Sequence, residues 1–539
     1  MTSADIIFTG GTVLTADRKR PTAEAVAVAG DRILAIGTTA EVLAHQGPKS
    51  RTIDLRGGCL MPGFVEAHGH PVLDGIVRSG AMIDIRPVTA PTAADVLDRI
   101  KRELVSDDDR VAHFFGWDPL LQEGLVTPEK AWMDEMAPDR PFIITHNSGH
   151  AVYFNTAAAR VAGVSSATED PTGGSFGRDG DGELTGVAYE SAGWRLRALT
   201  AHRPDELIPV LATEFAALSA AGVTTISDIG FDPAHRPAFD QAARNGVLTA
   251  RVRMYEKAGP ALRSEVPLDN GDDLVKQIGI KIWCDGSPWV GNIATSFPYL
   301  NTPQTTAMGL GCDHRGHPNY TPEQLREISE AYFAAGWQLA CHVHGDEGVD
   351  MVLDVWEELL GRQPRPDHRL RLEHCGTMTA EQYARAARIG ATCSLFVDHL
   401  HYWGDVLVDG LFGPERGARW AAAGSAVWAG LRISLHNDPP VTPEEPLRNI
   451  AVATTRQSSS GRVLAPEERL TVDQAIRAQT IDPAWQLFCD DQVGSLEPGK
   501  YADLVVLSAD PHRVPPREIA GLEVRATFLG GRQVHGEVL

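Results

Sequence analysis

Two histidines one residue apart, His68 and His70, close an apolar run in MPGFVEAHGHP. In an extended strand, residues i and i+2 face the same side. The two imidazoles can therefore converge on one ion at about 2.0–2.1 Å, the distance zinc demands. Alone, His-x-His also fits a pair of surface histidines. Four later segments tip the balance: GIKIWCDGS carries Lys281, WQLACHVHGDEG carries His342 and His344, RLRLEHCG carries His374, and LRISLHNDPP carries Asp438. Each is a short apolar stretch holding a side chain able to serve a metal, which points to one metal centre built from distant parts of the chain.

The elements that must position these residues recur between them. Residues in LIPVLATEFAALSAAG-VTTISDIG, TPEQLREISEAYFAAG-WQLACHVHG and TAEQYARAARIG-ATCSLF read as an amphipathic helix, a glycine and a short apolar strand. In the second copy Thr321 is the N-cap, Gln324 completes a capping box, Pro322 takes the first helical position and Gly336 ends the helix. Such units imply parallel strands with crossover helices. Periodicity leaves an open sheet and a closed barrel equally possible. Candidate ligands at the ends of successive strands select the barrel, because the loops at that end converge on one mouth. The expected fold is thus α/β, a (β/α)8 TIM-type barrel over residues 63–488. Short strands joined by glycine turns in 1–62 and 489–539 are expected to pair into one small β-sandwich. Residues 75–205 fit the repeat poorly, and loop-rich stretches such as SSATEDPTGGSFGRDGDGELTG read as an insertion over the barrel mouth.

Composition removes several classes of function. The 539 residues exceed one ordinary domain, and 43% hydrophobic with 22% charged residues is a globular balance. A net charge of −22 repels nucleic acid and anionic membranes. No Walker or dinucleotide fingerprint follows a strand. Seven scattered cysteines without a CxxC pair argue against a disulfide framework, and neither an export signal nor an apolar span of about 18 residues is found. A cytoplasmic location is expected, with a homodimer as the default assembly.

The motifs PGFVEAHGH, KIWCDGS, HVHGD, RLEHC, LHNDPPVTPEEPL and GSLEPGKYADLVVL, in that order over nearly the whole chain, resemble the amidohydrolase superfamily and its YtcJ-like branch, amidohydrolase family 3. HNDPPVTPEEPL and HYWGD are similar to the subgroup that contains N-substituted formamide deformylase. The resemblance implies two divalent ions, zinc first with Mn, Fe or Co as alternatives. One would be held by His68, His70 and Asp438, the other by His342 and His374, with Lys281 bridging as a carboxylated lysine. A lysine paired with Asp285 is the competing reading and implies a mononuclear site. The implied reaction is hydrolysis of a C–N bond by a metal-activated hydroxide, with Asp438 as general acid/base. Alternatives are a mononuclear deaminase, a cyclic imide hydrolase, or a barrel that only binds ligands.

The remaining candidates concern substrate. His344 is assigned to a catalytic or substrate-facing role rather than to ligation. His150, with Asn155, matches a family GHxxxxN pattern expected at the pocket. Trp289, His399 and Trp403 are expected to contact substrate, and Cys341 and Cys375 to pack in the core. Aromatic surface from Trp289, Phe297, Tyr299, Tyr402 and Trp403 suggests an uncharged N-aryl or N-aralkyl amide, unless the insertion supplies an arginine such as Arg195 or Arg197.

Overall fold

A computed structural model describes residues 3–105, 110–258, 264, 267–268 and 270–537. Eight strands form the central sheet: β1 (Phe64–Gly69), β2 (Val223–Phe231), β3 (Arg251–Lys257), β4 (Val275–Trp283), β5 (Gln338–Val343), β6 (Arg371–His374), β7 (Thr392–Leu395) and β8 (Ile433–Leu435). They are hydrogen-bonded in sequence order and every pair is parallel. Their residues are almost all buried, as strands covered on both faces must be. At the seam, Val65 N–H donates to the Gln479 carbonyl (2.9 Å) and Leu435 N–H to the Ala478 carbonyl (3.0 Å). Gln479 Nε2 donates to the Leu435 carbonyl (2.5 Å). A two-residue segment thus stitches β8 to β1 and closes the TIM-type barrel.

The crossover helices follow from their sequence signals. Pro322–Ala334 has the expected capping box between Thr321 and Gln324. Gly336, at φ 100°, makes the turn into β5 that a β-carbon would oppose.

Both termini meet in one sheet, because Leu504–Leu507 pairs antiparallel with Cys59–Pro62. That six-stranded sheet faces a four-stranded one made from residues 4–54, with Phe8, Val28, Leu504 and Phe528 among the residues packed between them. The ring pair Phe8–Phe528 joins the two ends of the chain edge to face at 5.2 Å.

The insertion corrects the loop-rich expectation. It contains a six-stranded sheet running from Gly174–Arg178 through Leu184–Glu190, Ala151–Phe154, Phe142–His146 and Ala112–Trp117 to Ile83–Asp84. The polar stretch GSFGRDGDGELTG is a hairpin whose turn uses Gly182 at φ 85°. In Leu184–Glu190 every second residue is buried, but the buried set includes Gly186 and Glu190 while Val187 and Tyr189 lie on the other face, so burial alternates without a matching alternation in hydropathy. Residues 106–109 of the insertion lie outside the described residues. No helix among the described residues is long and apolar enough to cross a membrane.

Candidate metal centre

The barrel brings the sequence-predicted ligands to one end. His68 lies near the end of β1 with His70 just beyond it, Lys281 is in β4, His342 is in β5 with His344 just past it, and β6 ends on His374. Asp438 follows β8 by three residues. Asp438 Oδ1 is 3.1 Å from His70 Nε2 and 3.5 Å from His68 Nε2, and its Oδ2 is 3.9 Å from His374 Nδ1. Three groups of ligand atoms are close enough to share an ion: His68, His70 and Asp438; His342, His344 and His374; His68, His374 and His436. His374 (φ 71°) and Asp438 (φ 55°) both occupy the left-handed region, a conformation that costs roughly 1–3 kcal/mol and collects at functional sites.

Hydrogen bonds fix which ring nitrogen is available. His68 Nδ1 lies 2.5 Å from Glu373 Oε2, and because Glu373 remains bound to the Arg371 guanidinium, the carboxylate accepts and Nδ1 carries the hydrogen. Nε2, the atom facing Asp438, is left with its lone pair. His342 Nε2 donates to the Gly286 carbonyl (2.8 Å), which frees Nδ1. Carboxylate or carbonyl partners of this kind orient metal-ligating histidines. Burial pushes His68, His342 and His374 well below the usual imidazole range, so they are neutral, the form that ligates a metal. Burial opposes ionisation of Asp438, but the His70 hydrogen bond and the nearby charges outweigh it and hold the carboxyl below its usual value.

Lys281 is buried, its Nζ has no hydrogen-bond partner, and burial pushes it down to about 8 against the pull of Glu373 and Asp438. The competing pair with Asp285 does not form. Asp285 instead accepts backbone N–H groups from His344 (2.9 Å), Gly345 (2.8 Å) and Ala294 (3.1 Å).

Glu373 lies in the RLEHC motif with no spacing that marks it, whereas His436 carries the same i, i+2 signal as His68 and His70, since it precedes Asp438 by two. Its Nδ1 is 2.8 Å from Ser394 Oγ, and its Nε2 is 3.1 Å from His374 Nδ1. Glu373→Gln should weaken metal binding about 10–100-fold, read as the chelator concentration needed to strip the protein. Unchanged metal retention would deny Glu373 that orienting role.

A cavity of about 400 Å³ opens onto His68, His70, Lys281, His342, His374 and Asp438, within the usual range for small-molecule sites. His150 lines it, its ring 4.7 Å from that of His342 and its Nδ1 2.9 Å from Glu190. Trp289, His399 and Trp403 do not. Trp289 and Trp403 stack at 4.8 Å, and Trp403 Nε1 donates to Asp118 of the insertion (3.1 Å). His399 accepts from Trp420 Nε1 (3.2 Å). Trp403 thus ties the insertion to the barrel, and Trp289 and His399 pack beside it rather than on the cavity wall. Phe297, Tyr299 and Tyr402 are also absent from its wall, where Phe115, Trp194, Phe231, Trp283 and Tyr320 stand instead. His344 is stacked on His374 at 4.8 Å, belongs to the group with His342 and His374, and does not line the cavity. Asn155 is structural: it caps Thr156–Ala162 by accepting from Ala158 N–H (2.8 Å) and donates to the Ala137 and Arg140 carbonyls. Cys341 and Cys375 are core residues as expected, and all seven cysteines are free.

The family model described as the amidohydrolase family matches residues 51–535. The chain belongs to this family. Among relatives, this amidohydrolase is 27% identical to the N-substituted formamide deformylase of Arthrobacter pascens, over 98% of this chain and 97% of that protein. It is also 27% identical to the putative amidohydrolase YtcJ of Bacillus subtilis, over 98% of this chain and 99% of the other. Among solved structures, an uncharacterized metal-dependent hydrolase from Pyrococcus horikoshii superposes with a TM-score of 0.71 at 21% identity, covering 95% of this chain and 99% of that one. The fold and the hydrolase class agree with the geometry, and the histidine clusters are able to hold metal.

Proposed function

We propose that this amidohydrolase hydrolyses the C–N bond of an amide with the help of two divalent metal ions, zinc being the first choice. The observation that carries the reading is the pair of ligand clusters around His68 and His374, flanked by a buried lysine whose amine has no partner. Metal affinity order alone does not set the native ion. His68, His70 and Asp438 would hold one ion, and His342 and His374 the other. An unmodified ammonium cannot sit between two cations, so Lys281 is assigned a carbamate. When bound, the ions would lower the pKa of water and polarise the substrate carbonyl.

The chain's own groups do the rest. Asp438 takes the proton of the attacking water and delivers it to the departing amine. Glu373 and the Gly286 carbonyl keep His68 and His342 in the tautomers that leave one nitrogen free. Glu190 holds His150 at the cavity wall. The similarity to the formamide deformylase adds support for a non-peptide C–N bond.

Elemental analysis of the purified protein should find about two divalent ions per chain, with activity lost on chelation and restored on adding metal back. N-formyl and N-acyl amides should release a carboxylic acid and an amine. Full turnover by metal-free protein would end the metal reading, whereas one ion per chain together with release of ammonia would favour a deaminase.

A further inference from the structure

Arg197 ends the helix Ser191–Arg197, which leads from the inserted sheet back towards the barrel. Its side chain lines the cavity that also exposes His68, His342 and Asp438. Among the described residues its side-chain hydrogen bond runs from Nη2 to the Gly149 carbonyl (2.6 Å), while Nε is buried without a partner. Among the described residues no carboxylate pairs with it. Glu190 is the acid that acts on its charge, but both Glu190 oxygens face His150 Nδ1 at 2.9 Å and Oε1 also accepts from Asn292 (2.8 Å). Lys257, the cavity's other outer cation, is already paired with Asp232 at 3.1 Å. Arg195 lies outside the cavity with its donors on the Ala162 and Gly163 carbonyls.

A guanidinium stays charged in proteins, and a charge shielded from water without a counter-ion is costly. The cost is offset when a bound molecule brings the anion, and arginine matches the planar carboxylate. The wall also offers an apolar patch from Val72, Leu73, Ile76, Met82, Phe115 and Phe231, beside polar and acidic residues that include His113, His202, Asp228 and Asp232.

Resting on the amide-hydrolysis reading above, we propose that Arg197 binds a substrate carboxylate, so that the preferred substrates are carboxylate-bearing amides with an apolar group, such as N-acyl derivatives of apolar amino acids. This reverses the expectation of an uncharged N-aralkyl amide, whose aromatic residues lie away from the cavity.

The test compares metal-loaded full-length protein on an N-acyl amino acid and on the matched amide in which hydrogen replaces the carboxylate. Wild type should favour the acid by about 10–100-fold in kcat/KM, the range expected for a charge-assisted hydrogen-bonded pair. Arg197→Met should erase that preference mainly through KM, and Arg197→Lys should keep part of it. A wild-type preference for the neutral amide, or equal losses on both substrates in Arg197→Met, would overturn the assignment and leave Arg197 as a brace for Gly149. If neither amide is hydrolysed by protein that carries its ions, the reaction reading fails separately. Calorimetric titration with the N-acyl amino acid then decides: affinity lost in Arg197→Met sustains the carboxylate site, and affinity unchanged by Arg197→Met refutes it.

Discussion

Asp438→Asn should retain much of its metal while losing about 10²–10⁴-fold or more in kcat, the usual scale of general acid–base catalysis. An asparagine oxygen can still face His70 and His68, the partners now 3.1 and 3.5 Å from Asp438 Oδ1. It cannot accept the proton of water. The backbone tolerates the change, since Asp438 sits at φ 55° and asparagine is among the residues that enter this region most readily. Loss of rate with metal intact therefore isolates the proton transfer, with elemental analysis run beside kinetics. Near wild-type kcat would move that transfer elsewhere. His150, which lines the cavity, would then be the next candidate in place of His344, which does not.

The other large effect concerns Lys281→Ala, which should lose at least one ion and most of the rate. Were Lys281 a plain ammonium, its removal would relieve a buried, unpartnered charge at the expense of a small cavity. As a carbamate, it supplies the anion between two cations, and its loss leaves their repulsion unanswered. Metal titration followed by thermal melting separates the two cases: the variant's metal-free melting point should stay near that of the metal-free wild type, while stabilisation on adding metal should fall. Short carboxylic acids that fit the vacated space should restore part of the activity. A variant with both ions and normal turnover would show that Lys281 carries no bridging anion.

Arg251 and Asp503 illustrate how the outer sheets serve the barrel. Their two-pronged pair, at 2.7 and 3.1 Å, ties β3 to the segment just before Leu504–Leu507. It anchors the C-terminal strands to the base of the barrel, far along the strand from Lys257 and the cavity.

The candidate ligands could be picked out in the sequence because each lies in or just beyond an apolar strand, and the strand's two-residue period is a local property. It selected His68 with His70 and would equally have selected His436 with Asp438. The pairing of the chain ends could also be anticipated from the short strands at both, although residues 4–54 supply the four-stranded sheet whole and only the six-stranded sheet is shared. The character of the insertion was hidden because glycine and short polar residues serve both loops and hairpins. Only the tertiary structure decided which aromatic rings line the cavity. Trp289 and Trp403 are near the motifs in sequence, yet stacking on one another and the bond to Asp118 turn them into the seam between insertion and barrel. The cavity wall comes instead from Phe115, Trp194 and Arg197, residues separated from the ligands by tens to hundreds of positions and brought over them by the insertion. No local period encodes that placement, because it depends on how two independently patterned sheets pack.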